Sequence, residues 1–462
     1  MSPMTLDGLR AAQDKMRQAG AHEEAIDAFA QAYQRVAEGE AALISSSEIE
    51  PAQAVPTLDE LPDADASSAL EQVVAIKLNG GLATTMGLRQ PKSLVPAHRG
   101  LTFLDIIMGQ TLASRRRFGV RLPLLLMNSQ ATHQATLDVL GRHPELDVGL
   151  PLHFMQSMIP KLEEGRMAPV RWSADPALEW CPPGHGDIYG ALRRSGALSR
   201  LLEEGFRFAM VSNSDNLGAR IDARIAAFVA AEEIPFLMEV IEGSPAERKG
   251  GHIARRRSDG QLLLREIAQT PPEEADSFRD YRHWRYYNAN TIWLDLRRLS
   301  ELLESRQGVM ELPLIVNRKT VDPRDPNSTP VIQLETAMGA AIQSFPGARL
   351  LCVPRSRFVP VKTTNDLLVI RSDVYRLDDD FVVDPAPERA GRLPFVALDG
   401  RFYGMLDQFD ARFPSGPPSL LEAESLAVEG DVTFGADVVV RGAVELRTAE
   451  PISLPDGSVL TG

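Results

Sequence analysis

From Val73 to about Arg371 the chain carries short, unbroken apolar runs separated by helix-like stretches. VVAIKL (73–78) runs into Asn79-Gly80-Gly81. PLLLMN (123–128), FRFAMVSN (206–213), IPFLMEVIE (234–242), LLLREIA (262–268) and NTIWLDL (290–296) are further strand candidates. A strand that does not alternate apolar with polar residues is covered on both faces, and crossovers between such strands favour parallel pairing. The expectation is an α/β fold whose central sheet is mixed but mostly parallel, Rossmann-like, over residues 70–375.

The flanks read differently. Residues 5–43 suit helices, with Ile26, Phe29, Tyr33 and Val36 on one face. The serines and prolines between Ser45 and Ser68 suit a linker or an extended lead-in, which closes a helical N-terminal region at residues 1–69. In the C-terminal part, residues 376–462, Leu426, Val432, Val438 and Val444 are spaced six apart. Val428, Phe434, Val440 and Leu446 repeat that period, and so do the small residues Gly430, Ala436 and Gly442. One short strand and one corner every six residues is the pattern of a left-handed parallel β-helix.

Composition removes several classes of function. At roughly 150 residues per domain, 462 residues suggest two or three domains. A net charge of −14 argues against a nucleic-acid partner, and Arg115–Arg117 and Arg255–Arg257 read as solvated faces. The only cysteines, Cys181 and Cys352, form no metal-ligand spacing and no disulfide framework, which suits a reducing, cytoplasmic compartment. No apolar run reaches the roughly 18 residues that span a membrane, and no secretory signal is visible.

The densest clue is VVAIKLNGGLATTMGLRQPKS (73–93). Glycines after a buried strand let backbone N–H groups approach a phosphate or a base. Open α/β sheets bind ligands at the C-terminal ends of their strands. Lys92, behind Pro91, is a compact charge suited to phosphate oxygens. The loop matches neither GxxxxGK[ST] nor GxGxxG, so the ATPase, kinase and dehydrogenase readings lose their support. By itself such a loop fits a plain tight turn equally well.

It does not stand alone. NGGLATTMG followed by QPKS resembles the nucleotide-binding signature of the eukaryotic-type UTP–glucose-1-phosphate uridylyltransferases. TFLDI (102–106), PLLLMNS (123–129), WCPPGHGDIY (180–189), FAMVSNSDNLGA (208–219) and KGGHI (249–253) continue the resemblance in the family's order. EIAQ (266–269), YYNANTIW (286–293), VIQLETAMGAAI (331–342), VPRSRFVPVKTTNDLL (353–368) and VEGDVTFGADVVVRG (428–442) extend it to about residues 60–460.

The resemblance implies a nucleotidyltransferase domain that binds UTP and glucose 1-phosphate with Mg²⁺. Leu78, Asn79, Gly80 and Gly81 would lie along the uridine, and Gln156 and Gly184 would read the uracil. Lys92 and Lys362 would hold the phosphates as the catalytic cations. Asp215 would be the Mg²⁺ ligand within the nucleotide site. His185 would contact the sugar phosphate, Asn213 sugar or ribose hydroxyls, and Gly251, Glu266 and Asn290 the glucose. Each has a plainer reading: His185 as a loop residue, Asp215 with Asn216 as a turn, Glu266 after Arg265 as a surface ion pair.

Four departures from the family pattern matter. Ala83 stands where a glycine is usual, Leu88 where a cysteine often follows Met-Gly, and Thr291 where an asparagine is usual. The chain stops at Gly462, and a homo-oligomer through the C-terminal region is therefore an open expectation. The range of sugar phosphates is open too, since galactose 1-phosphate differs at one hydroxyl. A catalytically dead UDP-sugar sensor would be expected to lack Lys92 or Asp215, and both are present.

Overall fold

The structure is a computed structural model that describes residues 3–39, 43–62, 67–83, 86–87, 90–248 and 250–462. Its centre is a ten-stranded sheet. In chain order the strands are β1 (Ile49–Pro51), β2 (Val73–Asn79), β3 (Leu124–Asn128), β4 (His153–Met155) and β5 (Phe208–Asn213). β6 (Phe236–Glu242), β7 (His252–Arg256), β8 (Leu262–Arg265), β9 (Tyr286–Asp295) and β10 (Arg349–Cys352) complete it. The main path runs β1-β7-β9-β5-β2-β3-β4. β6 joins β9 to β10, and β8 pairs with β7.

Every residue of β2 and β3 is buried, as unbroken apolar runs require when both faces are covered. β5, β2, β3 and β4 are parallel neighbours. The helices that cover them have sound local causes. Phe103–Phe118 opens with a Thr102–Asp105 capping box and ends at Gly119 in the left-handed region.

The sheet is mixed, but the expectation of mostly parallel pairing is corrected. β9 runs antiparallel to β5, β6 and β7, and β7 runs antiparallel to β1 and β8. Only β6 with β10 is parallel on that side. Strands buried on both faces look alike in sequence whichever way their neighbours run, so period alone could not separate the halves. Of the two readings of the segment after Ser45, the extended one holds at Ile49–Pro51, an edge strand with Ile49 buried. LLLREIA stops being strand at Arg265, and Ile267–Gln269 forms a 3₁₀ turn, so Glu266 stands at a strand end.

Two helices, Pro3–Gln18 and Glu23–Ala37, form the N-terminal region. Ile26, Phe29 and Tyr33 are buried together with Ile159, Leu162, Ile332 and Leu334, and Val36 is half-buried beside them. After Val374 comes an antiparallel pair, Tyr375–Leu377 with Val383–Pro385, and then a parallel coil. β11 (Phe395–Leu398), β12 (Ser419–Glu429), β14 (Val439–Arg447) and β16 (Val459–Thr461) stack in parallel, and β13 (Val432–Phe434) pairs in parallel with β15 (Ile452–Leu454). Leu426, Val432, Val438 and Val444 all point into its core, as do Val428, Phe434 and Val440. Gly430 and Gly442 turn corners with positive φ, whereas the middle corner uses Asp437 rather than Ala436. This apolar core is continuous with the face of the central sheet that carries Ala75, Leu124 and Leu126.

Cys181 and Cys352 are buried free thiols. Among the described residues no helix is long and apolar enough to cross a membrane.

Candidate active site

β2 and β5 lie side by side in parallel, with Asn213 in register with Leu78. Their C-terminal ends release two loops from one edge, one leading to Lys92 and the other beginning at Ser214. Lys92 Nζ and Asp215 Oδ2 meet at 2.6 Å. The second oxygen of Asp215, Oδ1, is buried without a hydrogen-bond partner. The loop before Lys92 folds back on itself, with the Lys92 N–H donating to the Gly81 carbonyl and Leu82 bridging Pro91. Ala83 fits that loop without strain. Its methyl is buried in the core and it is not among the residues with positive φ. Leu88 lies outside the described residues, as does Lys249 of KGGHI.

Gly80 and Gln156 are brought into contact: a Cβ on Gly80 would stand 2.6 Å from Gln156 Nε2. Ser129 Oγ donates to the Gly80 carbonyl and fixes the turn. The carboxamide of Asn79 turns away, donating to Asn128 Oδ1 at 2.7 Å and Thr136 Oγ1 at 2.9 Å. Its side chain therefore holds β2 to β3 and to the helix Gln130–Leu140.

Gly184 has φ +80, and a Cβ there would lie 2.4 Å from the Thr336 carbonyl oxygen, so only glycine fits. The next residue, His185, accepts the Met338 N–H at Nδ1, 2.9 Å away. Burial lowers its pKa to about 4. The ring is thus neutral, with Nδ1 accepting and its proton on Nε2, a donor without a charge.

On the antiparallel side, Glu266 Oε1 lies 2.6 Å from where a Cβ on Gly251 would stand. Burial raises the Glu266 pKa to about 7, and the nearby charge of Lys362 works against that rise. Lys362 follows Val361, whose N–H donates to the Asp215 carbonyl at 3.2 Å. Lys362 therefore stands between the Asp215 loop and the Glu266 pocket. Asn290 has φ +51 and sits where the register of β9 against β6 slips. Its N–H donates to Asn288 Oδ1 at 2.8 Å, and Asn288 Nδ2 returns a bond to Asn290 Oδ1 at 3.0 Å. Thr291 points elsewhere, buried in register between Ser212 and Glu239.

Three polar neighbours of the candidate site were not singled out in the sequence as site residues. Asn288 had the signal of standing two residues before Asn290 on one strand. Lys77 is a buried lysine in an otherwise apolar strand, donating to Ser212 Oγ at 2.8 Å and to the Ala219 carbonyl at 2.5 Å. Burial and the Arg357 charge lower its pKa to about 7. The third is Asn216, beside Asp215.

Glycines at strand ends, two lysines and one carboxylate with a vacant oxygen suit transfer of a nucleotidyl group, and the class this fold and site define is a nucleotidyltransferase. The comparisons narrow it. The model of the family described as UTP–glucose-1-phosphate uridylyltransferase matches residues 26–441. The enzyme of that name from Hordeum vulgare is 38% identical over 98% of this chain and 95% of its own length. The one from Saccharomyces cerevisiae is 38% identical over 85% of this chain and 78% of its own. A mutant UDP-glucose pyrophosphorylase from Leishmania major, solved in complex with UDP-glucose, superposes with a TM-score of 0.92 at 40% identity, covering 98% of each chain. A UDP-glucose phosphorylase from Trypanosoma brucei gives 0.91 at 39% identity, covering 99% of this chain and all of that one. The chain belongs to the UTP–glucose-1-phosphate uridylyltransferase family.

Proposed function

We propose that this chain makes UDP-glucose and pyrophosphate from UTP and glucose 1-phosphate, reversibly, by in-line attack at the α-phosphorus with Mg²⁺ as cofactor. One observation carries the reading: Lys92 contacts Asp215 while Asp215 Oδ1 is left buried and unpartnered. A buried acceptor without a donor is costly unless a ligand satisfies it. One carboxylate beside phosphate-binding lysines suits Mg²⁺, which draws its other ligands from substrate phosphates and water. When bound, the cation offsets charge on the triphosphate.

The protein's own groups do the positioning. Gln156 and Gly184 read the uracil, while Leu78, Gly80, Gly81 and the backbone of Asn79 lie along the uridine, with Gly80 against Gln156. Lys92 faces the α-phosphate, and Lys362 steadies the phosphates from the other side. The His185 Nε2–H donates to the sugar phosphate and aims one of its oxygens. That oxygen bonds to the α-phosphorus as the bond from phosphorus to the bridging oxygen breaks, and the electron pair leaves with pyrophosphate. The nucleophile is already an anion, so positioning and charge stabilisation supply the catalysis. Asn213, Gly251, Glu266 and Asn290 hold hydroxyls.

Pyrophosphate release from purified protein, with UTP, glucose 1-phosphate and Mg²⁺ each omitted in turn, tests this. Release that needs all three, with UDP-glucose in equal amount, is expected. Protein that binds UTP yet releases nothing overturns it. Galactose 1-phosphate in the same assay measures the sugar range.

The same reading takes residues 1–69, 70–375 and 376–462 as helical, catalytic and coil regions. It takes the coil as a left-handed β-helix, supported by returns to the same sheet from Leu426 to Val444 and from Val439 to Val459. Ile452 and Val459 in the last turn are 42% and 51% exposed, which supports self-association there; sizing in solution tests it. Two free thiols support a cytoplasmic setting.

A further inference from the structure

Asp215 and Lys362 are remote in sequence, yet the proposed chemistry needs them at a fixed separation. The structure contains a clamp between their segments. Asn216 forms an antiparallel bridge with Pro360. Its carboxamide does two jobs on one partner: Oδ1 accepts the Val359 N–H at 2.8 Å, and Nδ2 donates to the Arg357 carbonyl at 3.1 Å. Asn216 is 2% exposed, so no water substitutes readily for either bond. Gly218 closes the same contact, since a Cβ there would lie 2.2 Å from the Ser356 carbonyl oxygen.

The clamped segment is also anchored to the sheet. Arg357, 3% exposed, donates through Nε and Nη2 to the two oxygens of Glu239 on β6, at 2.8 and 2.7 Å. Nη2 also reaches the Arg220 carbonyl at 2.9 Å, and Trp293 Nε1 holds Glu239 Oε1 at 3.0 Å. One buried network therefore ties Arg357 both to β6 and to Arg220, on the chain that follows Asn216. Among the described residues, the Asn216 carboxamide joins the Asp215 loop to the two main-chain groups that precede Pro360, and the Val361 N–H bond to the Asp215 carbonyl continues the contact beyond it.

We infer that Asn216 is a positioning residue for the reaction, fixing Lys362 against Asp215, and not merely a fold-stabilising amide. The inference rests on the reading that both groups act on the phosphates. A residue that only supports the fold gives an effect that adds to the loss of Lys362. One that acts through Lys362 has no effect left once Lys362 is gone.

The test is a cycle of wild type, Asn216→Ala, Lys362→Ala and the double variant, measuring kcat and KM for both substrates and the melting temperature. Asn216→Ala is expected to lower kcat about 100-fold, as a misplacement near 1 Å does, with KM values changed about threefold or less. The double variant is expected to match Lys362→Ala. Gly218→Ala, pressing on Ser356 from the same loop, is expected to repeat the pattern. Additive losses overturn the inference, as does near-normal kcat in Asn216→Ala. Failure of both loop variants to fold also overturns it, assigning the clamp to stability. Wild type that forms no UDP-glucose overturns the underlying reading instead. Active wild type with undiminished kcat in Lys362→Ala removes the role of Lys362, and this inference with it.

Discussion

The two halves of the central sheet present the groups proposed to face ligand in opposite ways. On the parallel side, β2 and β5 end in loops, and the site is made from backbone and loop residues: Gly80, Gly81, Lys92, Asp215. On the antiparallel side, Glu266 stands at a strand end, and Asn288 and Asn290 stand within β9, displayed by a register slip. Parallel ends gather N–H groups and charge at one edge, which suits a flat base and a polyanion. A strand with a bulge instead re-aims individual side chains, which suits separate hydroxyls.

Variants can break or sharpen that contrast. The largest effect belongs to the loop side. Lys92→Ala is expected to lower kcat by about 100- to 1,000-fold while weakening UTP binding far less, at the roughly 2.7–4 kcal/mol of a lost electrostatic donor. Near-normal turnover would remove Lys92 from the chemistry.

Next comes Glu266, where the side-chain half depends on pH. Burial raises it from an ordinary 4.5 to about 7, so the folded protein keeps a proton that the unfolded chain releases in that interval. Its contribution to stability is whole below pH 4.5 and is lost as pH rises through about 7. Glu266→Gln cannot ionise, so it should gain on the wild type as pH climbs through this window, by at most about 3 kcal/mol. Melting curves against pH read it; parallel curves would show that Glu266 is solvated. The same variant should alter KM for glucose 1-phosphate more than KM for UTP.

Gly80→Ala drives a methyl into Gln156. It is expected to raise KM for UTP about tenfold, within the 1–3 kcal/mol of a displaced buried polar group, and to spare KM for the sugar phosphate. Equal change in both would mean the halves are not separate. The smallest effect is the control: Asp437→Gly relaxes a positive φ in the coil, and should shift stability by about 1 kcal/mol or less with kcat unchanged.

Much of this was legible before the structure. Continuous apolar runs gave the buried strands, and the six-residue period gave the inward face of the coil down to Val444. The expected site residues came from a resemblance, and the geometry joins several of them: Lys92 with Asp215, Gly80 with Gln156, Gly251 with Glu266. Other features left no trace in a linear reading. Strand direction does not change which residues are apolar, so the antiparallel half was missed. The slip at Asn290 is a property of pairing. Arg357 and Glu239 look like surface charges until the fold buries them against each other. Asn79 is a motif residue whose side chain faces the protein, which leaves its backbone for the uridine proposed there.

The contact between Lys92 and Asp215 also bears on which solutes the resting protein ignores. A cation and an anion already joined present almost no net attraction to a simple ion. On the proposed reading, inorganic phosphate would compete with Asp215 for Lys92, and a free metal ion would meet at Oδ1 a carboxylate whose charge Lys92 already offsets. On the same reading, a metal–nucleotide complex would bring both signs to the pair together. The pair would then work as a two-key lock, favouring a ligand that carries both charges over small ions that carry one.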